Sequence, residues 1–155
     1  MKAKTLRRGM RFWPPFWGAG ISVRELDDDF TKITVRLKRK MLNRNMFGTQ
    51  FGGSIFMMTD PFYAIMISKQ LGSGYRVWDQ SAEIDFVKNG TTDLYATFEV
   101  SPELIAEFRK KAEKGKKVLH WFESDIIDTK GEVIAHIRKQ LYIREKQKKS
   151  EASKP

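Results

Sequence analysis

Asp60 is the residue most able to do chemistry in this chain, and its setting is unusual. It closes the stretch Phe51-Gly52-Gly53-Ser54-Ile55-Phe56-Met57-Met58-Thr59-Asp60 and is followed at once by the apolar PFYAIMISKQLG. A charge without a partner is expensive in apolar surroundings, so an acid here needs a reason. Two structural readings are open: Asp60 caps a helix that begins with Pro61, or it is buried, hydrogen-bonded and chemically idle. A functional reading starts the helix at the glycines. Pro61 then falls inside the helix and kinks it. Asp60 stands among Phe56, Met57, Tyr63 and Ala64, where desolvation would raise its pKa and suit it to act as a general base. The glycine N–H groups, at the positive end of the helix dipole, would face a ligand oxygen. A base and an oxyanion donor on one helix suggest hydrolysis of an activated acyl group.

The elements that must hold these groups are legible along the chain. GISVREL and TKITVRLK are short β-type runs joined by a turn at DDDF, and KRKMLNRNMFGTQ reads as a loop. The apolar segment over about 53–70 is a helix closed by LGSG, with Gly72 at its C-terminal cap. In SAEIDFVK, Ala82, Ile84 and Phe86 alternate with Glu83 and Asp85, the pattern of a half-buried strand. NGTTD is a turn and LYATFEV a further strand. SPELIAEFRKKAEKG is a helix capped by Ser101, with Pro102 in its first turn and an apolar face of Leu104, Ile105, Phe108 and Ala112. KKVLHWFESDIID and EVIAHIRKQLYIRE form a long hairpin about TKG, and strands of this length suggest a strongly curved sheet. The result is an α+β chain of five or six antiparallel strands. One core face of the sheet is covered by the hydrophobic helix.

Length and composition bound the rest. The 155 residues read as a single domain over 1–146, with 147–155 a disordered basic tail. There is no apolar run long enough for a membrane span and no signal-peptide pattern, so a cytoplasmic location is expected. The absence of cysteine excludes disulfides and thiolate metal sites. The net charge of +10 sits at the ends: residues 1–40 hold 11 Lys/Arg against 4 Asp/Glu, and 41–137 hold 11 against 13. Such ends attract polyanions in general and do not specify nucleic acid. His120 and His136 lie on separate strands, and no metal site is expected.

Several stretches together resemble a known family. NMFGTQFGGSIFMMTD looks like the N-x-x-G-T-x-H-G-G-x-x-x-x-x-x-D signature of hotdog-fold acyl-CoA thioesterases of the phenylacetate-pathway type. PPFWGAGI, GTQFGGSIFMMTDPFYAIM, YRVWDQSAEIDF and LYIRE also have counterparts, in the same order, in a hotdog subfamily known from the C-terminal domain of YiiD. The resemblance implies a curved antiparallel sheet wrapped around a long central helix, and dimers that join their sheets edge to edge. It also implies roles for single residues. Asp60 matches the catalytic carboxylate, as base or nucleophile. Gly53 matches the helix-start amide that polarises the thioester carbonyl, and Asn45 matches the Asn before the glycines. Phe51 replaces a His found in many relatives, and Pro61 adds a kink those relatives lack. Gly52, Phe51, Ser54 and Arg44 are the expected substrate contacts. The expected ligand is an acyl-CoA or similar acyl thioester, with coenzyme A present only as part of the substrate. A non-catalytic acyl-ligand binder is the alternative. Nucleic acid is not an expected partner.

Gly53 and Asp60 are seven residues apart, which on a helix separates their backbones by roughly 10 Å. One thioester carbonyl spans that gap poorly, since its oxygen and carbon must each lie about 3 Å from their partners. The spacing therefore predicts a dimer in which the glycines of one chain face the Asp of the other, and a dimer of dimers is equally compatible. Elsewhere, RFWPPFWG reads either as an arm packed on a groove or as a lid over an acyl chain. Lys38, Arg39, Lys40 and Arg44 read as an exposed strand end or as phosphate contacts. Asp79 reads as a turn or dimer hydrogen-bonding residue.

Overall fold

Alternating apolar residues and turn signals build one six-stranded antiparallel sheet, which a computed structural model describes over residues 2–147. The strands are β1 (Ile21–Leu26), β2 (Lys32–Leu37), β3 (Tyr75–Phe86), β4 (Leu94–Glu99), β5 (Lys117–Asp128) and β6 (Val133–Glu145). Their order across the sheet is β1-β2-β4-β5-β6-β3, so β1 and β3 are the two edges. The expected C-terminal hairpin is present, with strands of 12 and 13 residues. The other end of the tail reading, 148–155, lies outside the described residues. Among the described residues no helix is long and apolar enough to cross a membrane.

The helices are α1 (Ala3–Phe12), α2 (Pro14–Ala19), α3 (Gly52–Met57), α4 (Phe62–Leu71) and α5 (Pro102–Lys111). Helix α5 begins as its sequence predicts: the Ser101 side chain accepts from the Leu104 N–H. Ile105, Phe108 and Ala112 are buried beneath it. Helix α4 supplies the centre of the core. Phe62 stacks on Phe98, Tyr63 stacks on Phe122, and Met66 and Ile67 are fully buried. Phe16 of α2 completes this layer against Phe62.

Two expectations are corrected. The helix expected over 53–70 is two helices, because Pro61 has no N–H to donate and disfavours helical geometry in the residue before it. Residues 58–61 form the connecting turn, closed by Thr59 N–H to the Phe56 carbonyl and Asp60 N–H to the Met57 carbonyl, each at 3.1 Å. The Asp60–Pro61 peptide is cis. The arm around RFWPPFWG is helical on both sides of Trp13: α1 rests Ala3 and Met10 against the body of the protein, and α2 starts on two prolines. The second correction concerns β3. It begins at Tyr75, well before the alternating run, and Ala82 and Phe86 are exposed rather than inward. An edge strand has only one neighbour, and among the described residues most side chains of its second half are left exposed.

Candidate functional site

The glycine turn is built from the loop that precedes it. Asn43 is buried and ties three backbones together. Its side-chain amide donates to the carbonyls of Ala19 and Lys38 at 2.8 and 2.7 Å, and its Oδ1 accepts from the Lys40 N–H at 2.8 Å. Asn45 closes the next turn: its Oδ1 accepts from the N–H groups of Phe47 and Thr49, and its Nδ2 donates to Thr49 Oγ1. Gly48 takes φ of 76° there, a conformation that favours glycine. Asn45 and Gly52 then share a cavity of about 170 Å³ with Gln50, Ile55, Phe86 and Lys88. Gln50 is buried, donates to the Thr92 carbonyl at 3.0 Å, and leaves its Oε1 without a partner among the described residues. That atom is a hydrogen-bond acceptor beside the cavity.

An added side chain at either glycine would meet an aromatic ring that must move to admit it. A Cβ on Gly53 would sit 2.4 Å from Phe51 Cε1, and one on Gly52 would sit 3.2 Å from Phe86 Cζ. The ring of Phe51 thus lies directly against Gly53. Among the described residues neither the Gly52 nor the Gly53 N–H has a backbone acceptor, as expected for the first two residues of a helix. Ser54 is buried one residue further on, while Arg44 is exposed and pairs with Gln50 through an isolated bridge.

Asp60 is neither a helix cap nor a buried acid. Helix α4 is preceded by Pro61 and has no side-chain cap. The expected burial of Asp60 among apolar side chains is corrected too: its side chain is 54% exposed, because the turn swings it out of the helical line. Its carboxylate is nevertheless held. Lys139 Nζ, only 3% exposed, donates to Asp60 Oδ1 and to Asp79 Oδ2, both at 3.0 Å. The desolvated acid of this trio is Asp79, not Asp60. Burial pushes the Asp79 carboxyl above its ordinary value, the Lys139 ammonium pulls it down by less, and the hydrogen-bonded Asp60 adds to the rise. Asp79 Oδ1 is buried and has no partner among the described residues.

Lys139 and Asp79 come from adjacent strands. Strand β6 presents Ile137, Lys139, Leu141 and Ile143 to one face, and all four are buried. A lysine in that row is the signal by which the sequence could have revealed it. Strand β3 presents Tyr75, Val77 and Asp79 in the same way, and Trp78 on the other face stacks on Tyr142. The β3–β6 register slips between Asp79 and Ser81, so that Ala82 rather than Ser81 opposes Lys139. The sequence reading had assigned Asp79 a turn or dimer contact and did not consider Lys139.

The histidines lie away from this cluster. His136 Nδ1 is 2.5 Å from Asp125 Oδ1 at the surface. His120 packs edge-on against Phe108, and burial lowers its pKa.

An antiparallel sheet of this order, curved around a central helical segment, is the hotdog fold. The chain belongs to the family described as Domain of unknown function (DUF4442), whose model matches residues 2–143. Solved structures share the architecture at low identity. A protein of unknown function from Pseudomonas aeruginosa, described as a probable thioesterase, is 17% identical, with TM-score 0.85 over 94% of this chain and 97% of its own. A thioesterase from Haemophilus influenzae is 11% identical, with TM-score 0.69 over 97% and 95%. The E. coli PaaI protein from the phenylacetic acid degradation operon is 18% identical, with TM-score 0.64 over 90% of each chain. At these identities the likeness establishes the fold alone. Among curated proteins none matches the chain.

Proposed function

We propose that this protein hydrolyses an acyl thioester, of which acyl-CoA is the first candidate, with Asp60 as base or nucleophile. The observation that carries this reading is the anchoring of Asp60: a carboxylate open to solvent yet fixed by a buried ammonium at 3.0 Å. Catalysis by a carboxylate needs both access and orientation, and a buried lysine supplies the second without removing the first. Lys139 is then a positioning residue. Asp79 completes the cluster: its Oδ2 accepts from the same ammonium, and burial raises its pKa above the ordinary value. The Gly53 N–H, lacking a backbone acceptor, is the candidate oxyanion donor, and Gly52, Phe51, Ser54 and Arg44 are candidate substrate contacts. Asn45 acts through the loop it closes. The resemblance to the YiiD-like subfamily and the thioesterase descriptions of similar structures agree with this chemistry.

The site is shared between two copies in this reading. Strand β3 is a 12-residue edge whose outer half is uncovered, and Phe86, Phe56 and Trp78 are exposed near it. Long exposed edges are normally paired or covered. Edge-to-edge pairing of β3 would bring the glycine turn of one chain toward Asp60 of the other. Ala82→Arg on this edge is expected to shift sedimentation toward monomer and to abolish turnover with it.

A second reading, a non-catalytic acyl-ligand binder, is favoured by the Phe51 ring that lies over Gly53 where many relatives carry His. A panel of acyl-CoA thioesters assayed against wild type and Asp60→Asn separates the two. Hydrolysis lost in Asp60→Asn supports the enzyme. Binding that survives the substitution, with no turnover of any panel member by wild type, supports the binder.

A further inference from the structure

Helix α1 divides its circumference into three sectors. Ala3, Leu6 and Met10 face the protein, where Ala3 and Met10 are buried. Lys4, Arg7, Arg8 and Arg11 fall within an arc of about 100° on another side, at 100° per residue. With Arg24 of β1 they line a cavity of about 470 Å³. The third sector, Thr5, Gly9 and Phe12, opens onto a second cavity of about 400 Å³, walled by Leu6, Met10, Phe12, Trp13 and Pro14. Directly opposite the buried sector, the outward face of α1 is therefore cationic along one side and apolar along the other. Phe12 is 74% exposed and Trp17 of α2 is 70% exposed on the same hairpin.

This arrangement works against the isolated protein. Lys4 and Arg8, and Arg7 and Arg11, are like charges at i,i+4, which destabilises a helix. The first acid in the chain is Glu25, so residues 1–24 supply no counter-charge. No carboxylate lines the cavity, and none of the five cations is in an ion pair among the described residues. Large aromatic side chains beside the cations remain in water. A single occupant that relieves both costs must be polyanionic at the level of the arginines and apolar at the level of Phe12 and Trp17.

We propose that the α1–α2 hairpin docks on the surface of a bilayer containing anionic phospholipids. Arginine and lysine meet the phosphate headgroups, and Phe12, Trp13 and Trp17 enter the boundary between headgroups and acyl chains. The apolar cavity favours this partner over nucleic acid. Its lining offers two side-chain hydrogen-bonding groups, the Thr5 hydroxyl and the Trp13 indole N–H, among otherwise apolar side chains, which suits alkyl chains and leaves most polar edges of bases unsatisfied. The hairpin packs on β1, at the opposite sheet edge from β3, so docking leaves the Asp60 cluster and the β3 edge free. The proposal does not rest on hydrolysis, since its readout is partitioning.

The test uses the full chain and sedimentation with vesicles of phosphatidylcholine alone or of equimolar phosphatidylcholine and phosphatidylglycerol. Expected are partitioning onto the anionic vesicles only, loss of binding as salt rises, and a blue shift of tryptophan emission absent from Trp13→Phe/Trp17→Phe. Arg7→Gln/Arg8→Gln/Arg11→Gln is expected to weaken partitioning about a hundredfold, from the contribution of each cation near an anionic surface. Phe12→Ser/Trp17→Ser is expected to weaken it about tenfold or more from lost apolar burial. Unchanged thermal melts of these surface variants establish that they fold. Equal partitioning onto neutral and anionic vesicles overturns the proposal, as does an Arg triple variant that binds like wild type. So does salt-sensitive retention on RNA or duplex DNA without vesicle binding, or self-association through the aromatic patch in its place.

Discussion

Replacing Lys139 by Met keeps most of the side-chain volume and removes the only cation between two carboxylates. Two charge-assisted hydrogen bonds of 3.0 Å are lost. The one to Asp79, whose side chain is 26% exposed, is worth about 2 kcal/mol. The one to Asp60 is discounted for solvent screening to about 0.5–1 kcal/mol. The expected loss near pH 7 is therefore about 3 kcal/mol, or a fall in Tm of about 6–12 °C for a domain of this size. Its pH dependence identifies the cause. A carboxyl whose pKa in the folded protein is raised contributes stability that is present at low pH and lost as pH rises through that folded pKa. Asp79 already titrates above its ordinary 3.8, and loss of the ammonium raises it further. The Lys139→Met deficit should thus be small near pH 4 and grow toward neutrality. Urea melts of both proteins across that range measure it. A deficit constant with pH, or larger in acid, would refute the reasoning, because it would point to lost packing rather than unmasked carboxylate repulsion.

Other outcomes follow from the same geometry. Asn43→Ala removes three buried hydrogen bonds and should cost about 2–4 kcal/mol in denaturant melts, more than its place in a loop suggests. Gly53→Ala should displace the Phe51 ring, and the stability it loses should be largely recovered in a Phe51→Ala background, measured as a double-mutant cycle. Asp60→Asn should leave the melt within about 1 kcal/mol of wild type, since its ion pair is half exposed, and in the hydrolytic reading it should eliminate turnover. Asp79→Asn removes one of the two carboxylates that hold Lys139. In the hydrolytic reading it should alter the acid limb of the kcat/KM profile while Asp60 stays in place.

The secondary structure was mostly legible because its signals are local. Ser101 caps α5, Gly72 ends α4, and the strands of the β5–β6 hairpin alternate beyond a register shift at Ile126/Ile127 near the turn. One misreading arose where competing local rules met. At Pro61 the apolar run suggested one helix, and the missing N–H divided it.

The sequence alone determined the sheet's constituents and the glycine turn, since these depend on backbone propensities within a few residues, and it singled out Asp60 as the candidate acid through a family resemblance. Only the tertiary structure decided how that acid is held. Asp60, Asp79 and Lys139 are distant along the chain and meet because the β3–β6 register, with its slip after Asp79, brings two strands together beneath the turn of a broken helix. A lysine in an apolar alternation marks a buried charge. Which carboxylates neutralise it is set by strand pairing, and local spacing carries no information about that.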